Sequence, residues 1–404
     1  MHAEKMLALP CQCWQKVRRL AEPGVGQMNW HLENGEVLGR GPGSLVLSNG
    51  DIVADAPAGR RFDATGLILA PGLCDAHGDG FERNIAPRPG VEFPVETALL
   101  ATDRELAANG ITTAFLALTI SWEPGLRSVA NARAVIEALD RLRPQLSTDL
   151  RVQLRWEVFA QDAVPVIEGW LTVRPRPVLA FNDHLSGLLR KDGDRLEKNL
   201  DSVAKRAGLS LPEYHDLVER TGARAGEVPG AIQRLASAAR KAGVVCFAHD
   251  EVDAATRNAN RAIGIDVSEF PLSAEAAKAA TEQGEETILG APNVLRGGSH
   301  IGCLDAAPAI ADGMCTVLAS DYYYPSLLQS AVRLETDGVL PLDQAWPLIS
   351  ANPARACGLT DRGTLNPGQR GDVIALERSG SGLLVQAVFR AGEPVLVRDA
   401  ARIS

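Results

Sequence analysis

The chain has 404 residues, 46% of them hydrophobic and 23% charged, with a formal net charge of −9. That length holds a barrel of about 250 residues and a smaller domain besides, and the apolar fraction is ample for a core. The acidic balance argues against a broad nucleic-acid surface, which needs a basic patch, and no apolar run approaches the ~18 residues of a membrane span, whereas a small anionic substrate stays compatible because a pocket can be locally positive.

Residues 1–27 have Met6–Pro10 as their only apolar stretch and basic residues behind it, which is not a secretory pattern; they are expected to form a disordered or peripheral extension. From Trp30 to Leu69 short strand-like runs are broken at Asn34-Gly35, Gly41-Pro42-Gly43 and Asn49-Gly50-Asp51. A matching set runs from Thr364 to Val397, with turns at Pro367-Gly368, Gly371-Asp372 and Ser379–Gly382. Neither set is long enough for its own core, so residues 28–70 and 358–404 are expected to pair into one small β-sandwich, with residues 71–357 inserted between them.

The inserted part alternates strand and helix, which implies parallel strands joined by helical crossovers. Eight strands are expected, at Leu73–His77, Thr112–Leu118, Val152–Phe159, Val178–His184, Val244–His249, Ile265–Phe270, Thr287–Ala291 and Thr316–Asp321. Helical periodicity fills Val95–Asn109, Leu126–Leu142, Ala231–Ala242, Ala274–Gln283 and Pro325–Thr336. No doubly wound nucleotide fingerprint is present, so the fold class expected is α/β, a (β/α)8 TIM-type barrel with the small β-sandwich at its side. The charged helical text between Leu185 and Gly230 predicts an excursion over the barrel mouth.

Four of these strands end in a His or Asp. His77 and Asp79, two apart in extended chain, leave on one side; His184, His249 and Asp321 end later strands. Glu157 is a carboxylate in an otherwise apolar strand, too costly to bury without a cation, a proton or an arginine such as Arg155. Acids and imidazoles gathered at strand ends are the makings of a metal-dependent hydrolase, with Asp183, Asp250 and Glu251 placed to support the histidines. A second group fits anions. Arg83 and Arg88 follow the first strand, and Asn293, Arg296, Gly297, Gly298, Ser299 and His300 follow the seventh, where barrels often bind phosphate. Each of these residues has a plain structural alternative, a strand cap or a surface ion pair. The seven cysteines are odd in number, without a Cys-x-x-Cys, and are read as reduced thiols of a cytoplasmic protein.

From Pro71 to Asp372 the chain resembles the amidohydrolase superfamily, through Pro71-Gly72-Leu73 with His77-x-Asp79, Asp183-His184, Ala248-His249-Asp250, Ser320-Asp321-Tyr322 and Asn352-Pro353. The His-x-Asp, Pro87–Val91, Glu269-Phe270-Pro271 and Gly290–Asn293 followed by Arg296–His300 resemble the branch that splits ribose methylphosphonate triphosphate in phosphonate metabolism. The resemblance implies two divalent metal ions, zinc by the habit of the family, held by His77, Asp79, Glu157, His184, His249 and Asp321. Asp321 would act as general base, and Arg83, Arg88, Asn293, Arg296, Ser299 and His300 would bind substrate. The chain departs from the branch at Gly78 and Gly80, at Leu185–Arg190 and at Glu251-Val252-Asp253.

The reaction expected is diphosphatase-like hydrolysis of a phosphoanhydride in a ribose triphosphate-like substrate. The alternatives are a C–N bond hydrolase (deacetylase, deaminase or cyclic amidohydrolase) on the same centre, and a non-catalytic scaffold. The partner expected is a small anionic substrate, with no nucleic acid and no membrane; self-assembly into a homo-oligomer stays open.

Overall fold

The computed structural model describes residues 28–88, 90–189, 193–299, 303–380 and 382–404. The extension expected at 1–27, and His300, lie outside the described residues.

Eight parallel strands form the larger sheet in chain order: Leu73–Gly78, Ile111–Ile120, Asp149–Glu157, Val178–Asn182, Cys246–His249, Val267–Glu269, Thr287–Gly290 and Val317–Ala319. The sheet closes where Gly78 pairs with Asp321: the Asp79 N–H donates to the Asp321 carbonyl at 2.9 Å and the Asp321 N–H to the His77 carbonyl at 3.0 Å. Helices cover the outside, so the fold is a TIM-type barrel. Strands buried on both faces read as unbroken apolar runs, and the second, Ile111–Ile120, is buried at every position.

Inside, Phe115, Val178, Ala180, Phe247, Val267, Ile288, Val317 and Ala319 fill the barrel. Period-two alternation then dictates what the same inner face carries further toward the C-terminal mouth. Beyond Ala180 come Asn182 and His184; beyond Phe247, His249; beyond Val267, Glu269; and beyond Ala319, Asp321. The apolar plug and the polar cluster are thus two layers of one face.

The second sheet takes strands from both chain ends. Ile68–Pro71 runs antiparallel to Val373–Ser379, with Ala70 opposite Ile374, and Trp30–Val37 joins Ile68–Pro71 to Gly41–Ser48. Its own core contains Trp30, Leu32, Phe62 and Phe389, with Phe389 edge-on to both Trp30 and Phe62. The eight strands form one continuous, branched sheet, Arg60–Asp63 pairing off the side of Trp30–Val37.

The helix expected from Leu126 begins at Val129 instead, because Ser128 caps it and accepts the Asn131 N–H at 3.1 Å. The stretch after the fourth strand is helical, with Gly193–Ala207 and Leu211–Gly222 ahead of Val228–Ala242. Tyr214 of the second of these helices is buried and donates its hydroxyl proton to Glu123, in the loop after the second strand, at 2.6 Å. Arg206 joins the same carboxylate at 3.0 Å, which holds the excursion at the barrel mouth. Among the described residues no helix is long and apolar enough to cross a membrane, and the five described cysteines are free.

Candidate active site

The third barrel strand sets up the mouth. Gln153, Arg155 and Glu157 lie two apart on its inner face, and all three are buried. Each reaches a different partner. Gln153 donates to Glu269 at 2.7 Å, and Glu157 receives the Nδ1 of His184 at 2.5 Å and its backbone N–H at 3.2 Å. Arg155 extends across the opening, 3.0 Å from the Nε2 of His249, 3.4 Å from the Nε2 of His184 and 3.5 Å from Asp79.

Glu269, fully buried on the sixth strand, organises the floor. Its Oε1 lies 2.9 Å from the Nδ1 of His77 and its Oε2 2.8 Å from the Nδ1 of His249. Burial alone would raise its pKa; the two imidazoles and their hydrogen bonds outweigh that and hold it well below the ordinary carboxylate range. A carboxylate facing both Nδ1 atoms fixes each as the protonated nitrogen, so both Nε2 lone pairs face the mouth. His77 is completely buried, and its Nε2 has no hydrogen-bond partner. Burial pushes His249 down and favours the neutral ring that can accept or ligate.

Two clusters with ligand atoms within 4.8 Å of one another stand above this floor: His77 with Asp79 and Asp321, and His184 with His249 and Asp250. Asp321 is pushed up to about 6, first by burial and then by the charge of Asp79. Two carboxylates and a buried, unpartnered imidazole nitrogen form a donor set that fits a divalent cation. Asp250, Phe270 and Asp321 all have left-handed backbone, with φ of 59°, 50° and 56°. Non-glycine residues rarely adopt it, and here it turns the chain out of the fifth, sixth and eighth strands at the site itself. Gly78, between His77 and Asp79, is required by closure of the barrel: a Cβ there would lie 2.7 Å from the Asp75 carboxylate and 2.8 Å from the Tyr324 ring.

The expected metal ligands therefore converge on one mouth, but Glu157 spends both carboxylate oxygens on His184. The expected anion-binding residues divide. Arg296, Asn293 and Ser299 line a cleft of about 310 Å³ together with Arg155, His249, Asp250 and Asp321. Within that wall the Asn293 amide is tied to the Leu304 carbonyl and the Ala306 N–H, each at 3.0 Å. Arg83 turns elsewhere: it pairs with Glu105, donates to the Tyr322 carbonyl at 2.7 Å and lies over the Tyr324 ring. Arg88 is exposed in a turn with Val91. Neither lines the cleft.

The residues missed were Glu269 as the tie between two histidines, Gln153 beneath it, and the reach of Arg155. The signal that found Glu157, a carboxylate in an apolar strand, was equally present in Val267-Ser268-Glu269-Phe270.

Below Asp250 the loop is anchored by a second buried pair. Arg257 is fully buried and reaches Glu251 at 3.1 Å, while Asn260 and Ser268 donate to the same carboxylate at 2.8 Å and 2.6 Å. Arg257→Met would strand that carboxylate, so we expect a loss of about 3–5 kcal/mol in stability. Urea denaturation measures it, and a loss below ~1 kcal/mol would show that the pair contributes little.

No family model matches the chain. The alpha-D-ribose 1-methylphosphonate 5-triphosphate diphosphatase of Escherichia coli (strain K12) is 30% identical over 365 residues, covering 87% of this chain and 96% of that protein. Among solved structures, a triazine hydrolase variant superposes with a TM-score of 0.61 at 13% identity, covering 92% of this chain and 95% of the other. The N-isopropylammelide isopropylaminohydrolase of Burkholderia multivorans ATCC 17616 gives 0.56 at 18% identity, covering 91% and 98%. At those identities the structures bear on the fold alone.

Proposed function

We propose that this chain, which belongs to the same family as the Escherichia coli diphosphatase, is a metal-dependent hydrolase of the amidohydrolase superfamily that cleaves a phosphoanhydride bond in a ribose 5-triphosphate-like substrate. The observation that carries the reading is the cleft in which Asp321 and His249 share walls with Arg296. A hydrolytic centre beside an exposed guanidinium suits a substrate whose reacting end is a chain of phosphates; the N–H groups of Gly297, Gly298 and Ser299 are taken by Val294, Asn293 and Asp305, so the charge of Arg296 carries the contact.

His77, Asp79 and Asp321 would hold a divalent cation, zinc by the habit of the family. When bound, it supplies Lewis acidity, polarising a phosphoryl oxygen and acidifying a water. The remaining steps fall to the chain's own groups. Asp321 takes the proton of the attacking water, the water oxygen forms its bond to phosphorus, and the bond to the bridging oxygen breaks, releasing pyrophosphate and leaving the monophosphate. Arg296 pairs with the departing phosphates. Phe270, Pro271 and Leu272 wall the cleft on its apolar side and limit water around the reacting atoms. The compartment that suits such an enzyme, with the five described cysteines unpaired, is the cytoplasm.

The test is pyrophosphate release from ribose and nucleoside 5′-triphosphates by the purified chain with added zinc. Hydrolysis confined to acylated amines or amino-purines would overturn the reading. Because Arg296 is exposed at the rim, Arg296→Ala should raise KM about 10- to 100-fold while changing kcat little, as expected for loss of a charged contact worth about 1.5–3 kcal/mol. A KM unchanged within a factor of two would remove Arg296 from the phosphate site.

A further inference from the structure

We propose that Arg155 takes the place of a second metal ion: the chain holds one divalent cation, at His77, Asp79 and Asp321, and the guanidinium provides the other positive charge of the centre. This rests on the metal-centred reading above but not on the phosphoanhydride substrate.

Lone pairs decide which charge can sit there. A guanidinium has N–H donors only and stays protonated. Lying 3.0 Å from the Nε2 of His249 and 3.4 Å from the Nε2 of His184, Arg155 can meet those nitrogens only by donating to their lone pairs. The alternative orientations are closed, because Glu157 and Glu269 each hold the opposite nitrogen, Nδ1, at 2.5 Å and 2.8 Å. The two lone pairs are the ones a second ion would need from the cluster of His184, His249 and Asp250. Arg155 is also fixed in place. It is 6% exposed and its stem rises near the C-terminal end of the third strand between Gln153 and Glu157.

The first cluster keeps a full set of donors in this arrangement. The Nε2 of His77 has no partner, and Asp79, 3.5 Å from Arg155, has oxygens for both the ion and the guanidinium. Arg155 lines the cleft beside Asp321, and its own Nε–H is buried without a hydrogen-bond partner. The guanidinium therefore borders the space in which a substrate oxygen would be gripped between one ion and Arg155 rather than between two ions. Arginine suits the task through planar, directional contacts to oxyanions.

The experiment counts ions. The full chain is stripped with chelator, reloaded with zinc, desalted, and its metal content measured by plasma mass spectrometry beside a calorimetric titration. We expect one zinc per chain in the wild type, one in His184→Ala, and two in Arg155→Met, where the lone pairs of His184 and His249 are freed. Two ions in the wild type, falling to one in His184→Ala, would overturn the proposal, as would an Arg155→Met variant that folds and still holds one. Should Arg155→Met fail to fold by circular dichroism, the wild-type count and the His184→Ala comparison decide alone. Pyrophosphate release is scored separately: two ions with that activity retained sinks the role of Arg155 and leaves the reaction standing, and one ion without it does the reverse.

Discussion

Asp321→Asn should lower pyrophosphate release roughly 10²- to 10⁴-fold, the range for removing a general base, while making the metal-free protein more stable at pH 8. The two effects share a cause. Asp321 is largely buried beside Asp79, and its pKa rises from 3.8 to about 6. An acid whose folded pKa lies above its unfolded value contributes stability below the unfolded pKa and loses it as pH rises through the folded one. In the chelated wild type, stability therefore falls between about pH 4 and pH 6 on account of this group. The asparagine variant has no such loss, so at pH 8 it should exceed the chelated wild type by about 1–3 kcal/mol, and below pH 4 the ionisation gives it no advantage. Zinc reverses the order, because a cation between Asp79 and Asp321 converts their repulsion into binding free energy in the wild type only. Thermal midpoints at pH 4, 6 and 8, with and without chelator, measure the pattern. An asparagine variant that keeps most of its rate removes Asp321 from the chemistry, and one less stable than the chelated wild type at pH 8 removes the strain.

The parts of this molecule that could be read in advance are those where burial leaves a simple trace. Eight strands were legible because a barrel strand is enclosed on both faces, so Ile111–Ile120 and Val178–Asn182 read as apolar runs of strand length. Their polar ends were legible for the same reason, since His249 and Asp321 interrupt runs that need no polar residue for folding. Side-chain direction was less so. Glu157 and Arg155 stand two apart in one strand, which reads equally well as a neighbouring ion pair. The structure separates them, the carboxylate serving His184 and the guanidinium crossing to His249. Arg83 shows the opposite limit. Its place after the first strand suits a substrate, but the short helix Glu82–Ile85 aims it at Glu105 and the Tyr322 carbonyl. A linear pattern fixes the face of a strand and leaves open the aim of a loop.

Glu269→Gln should have the other large effect, because one carboxylate sets the tautomers of two histidines. Its two oxygens accept from His77, His249 and Gln153. An amide offers one oxygen and one NH2 group in the same space, so one of those donors must face another donor. A buried donor without an acceptor costs about 1–3 kcal/mol, and the cheapest escape is for His77 or His249 to move its proton to Nε2. That proton then occupies the lone pair facing the mouth. If His77 shifts, the cluster with Asp79 and Asp321 loses its nitrogen ligand; if His249 shifts, it can no longer accept from Arg155. We expect zinc affinity to fall at least 10- to 100-fold, the usual cost of losing a carboxylate that orients a ligating histidine, with pyrophosphate release falling in step. Imidazole nitrogen resonances read the cause directly, since the wild type should show Nδ1 protonated on both rings and the variant should show one ring exchanged. Unaltered zinc affinity in a folded Glu269→Gln chain, with Nδ1 still protonated on both rings, would mean that the two histidines are oriented by packing alone, with the ring of Phe270, 4.9 Å from His77 and 5.3 Å from His249, sufficient to hold them.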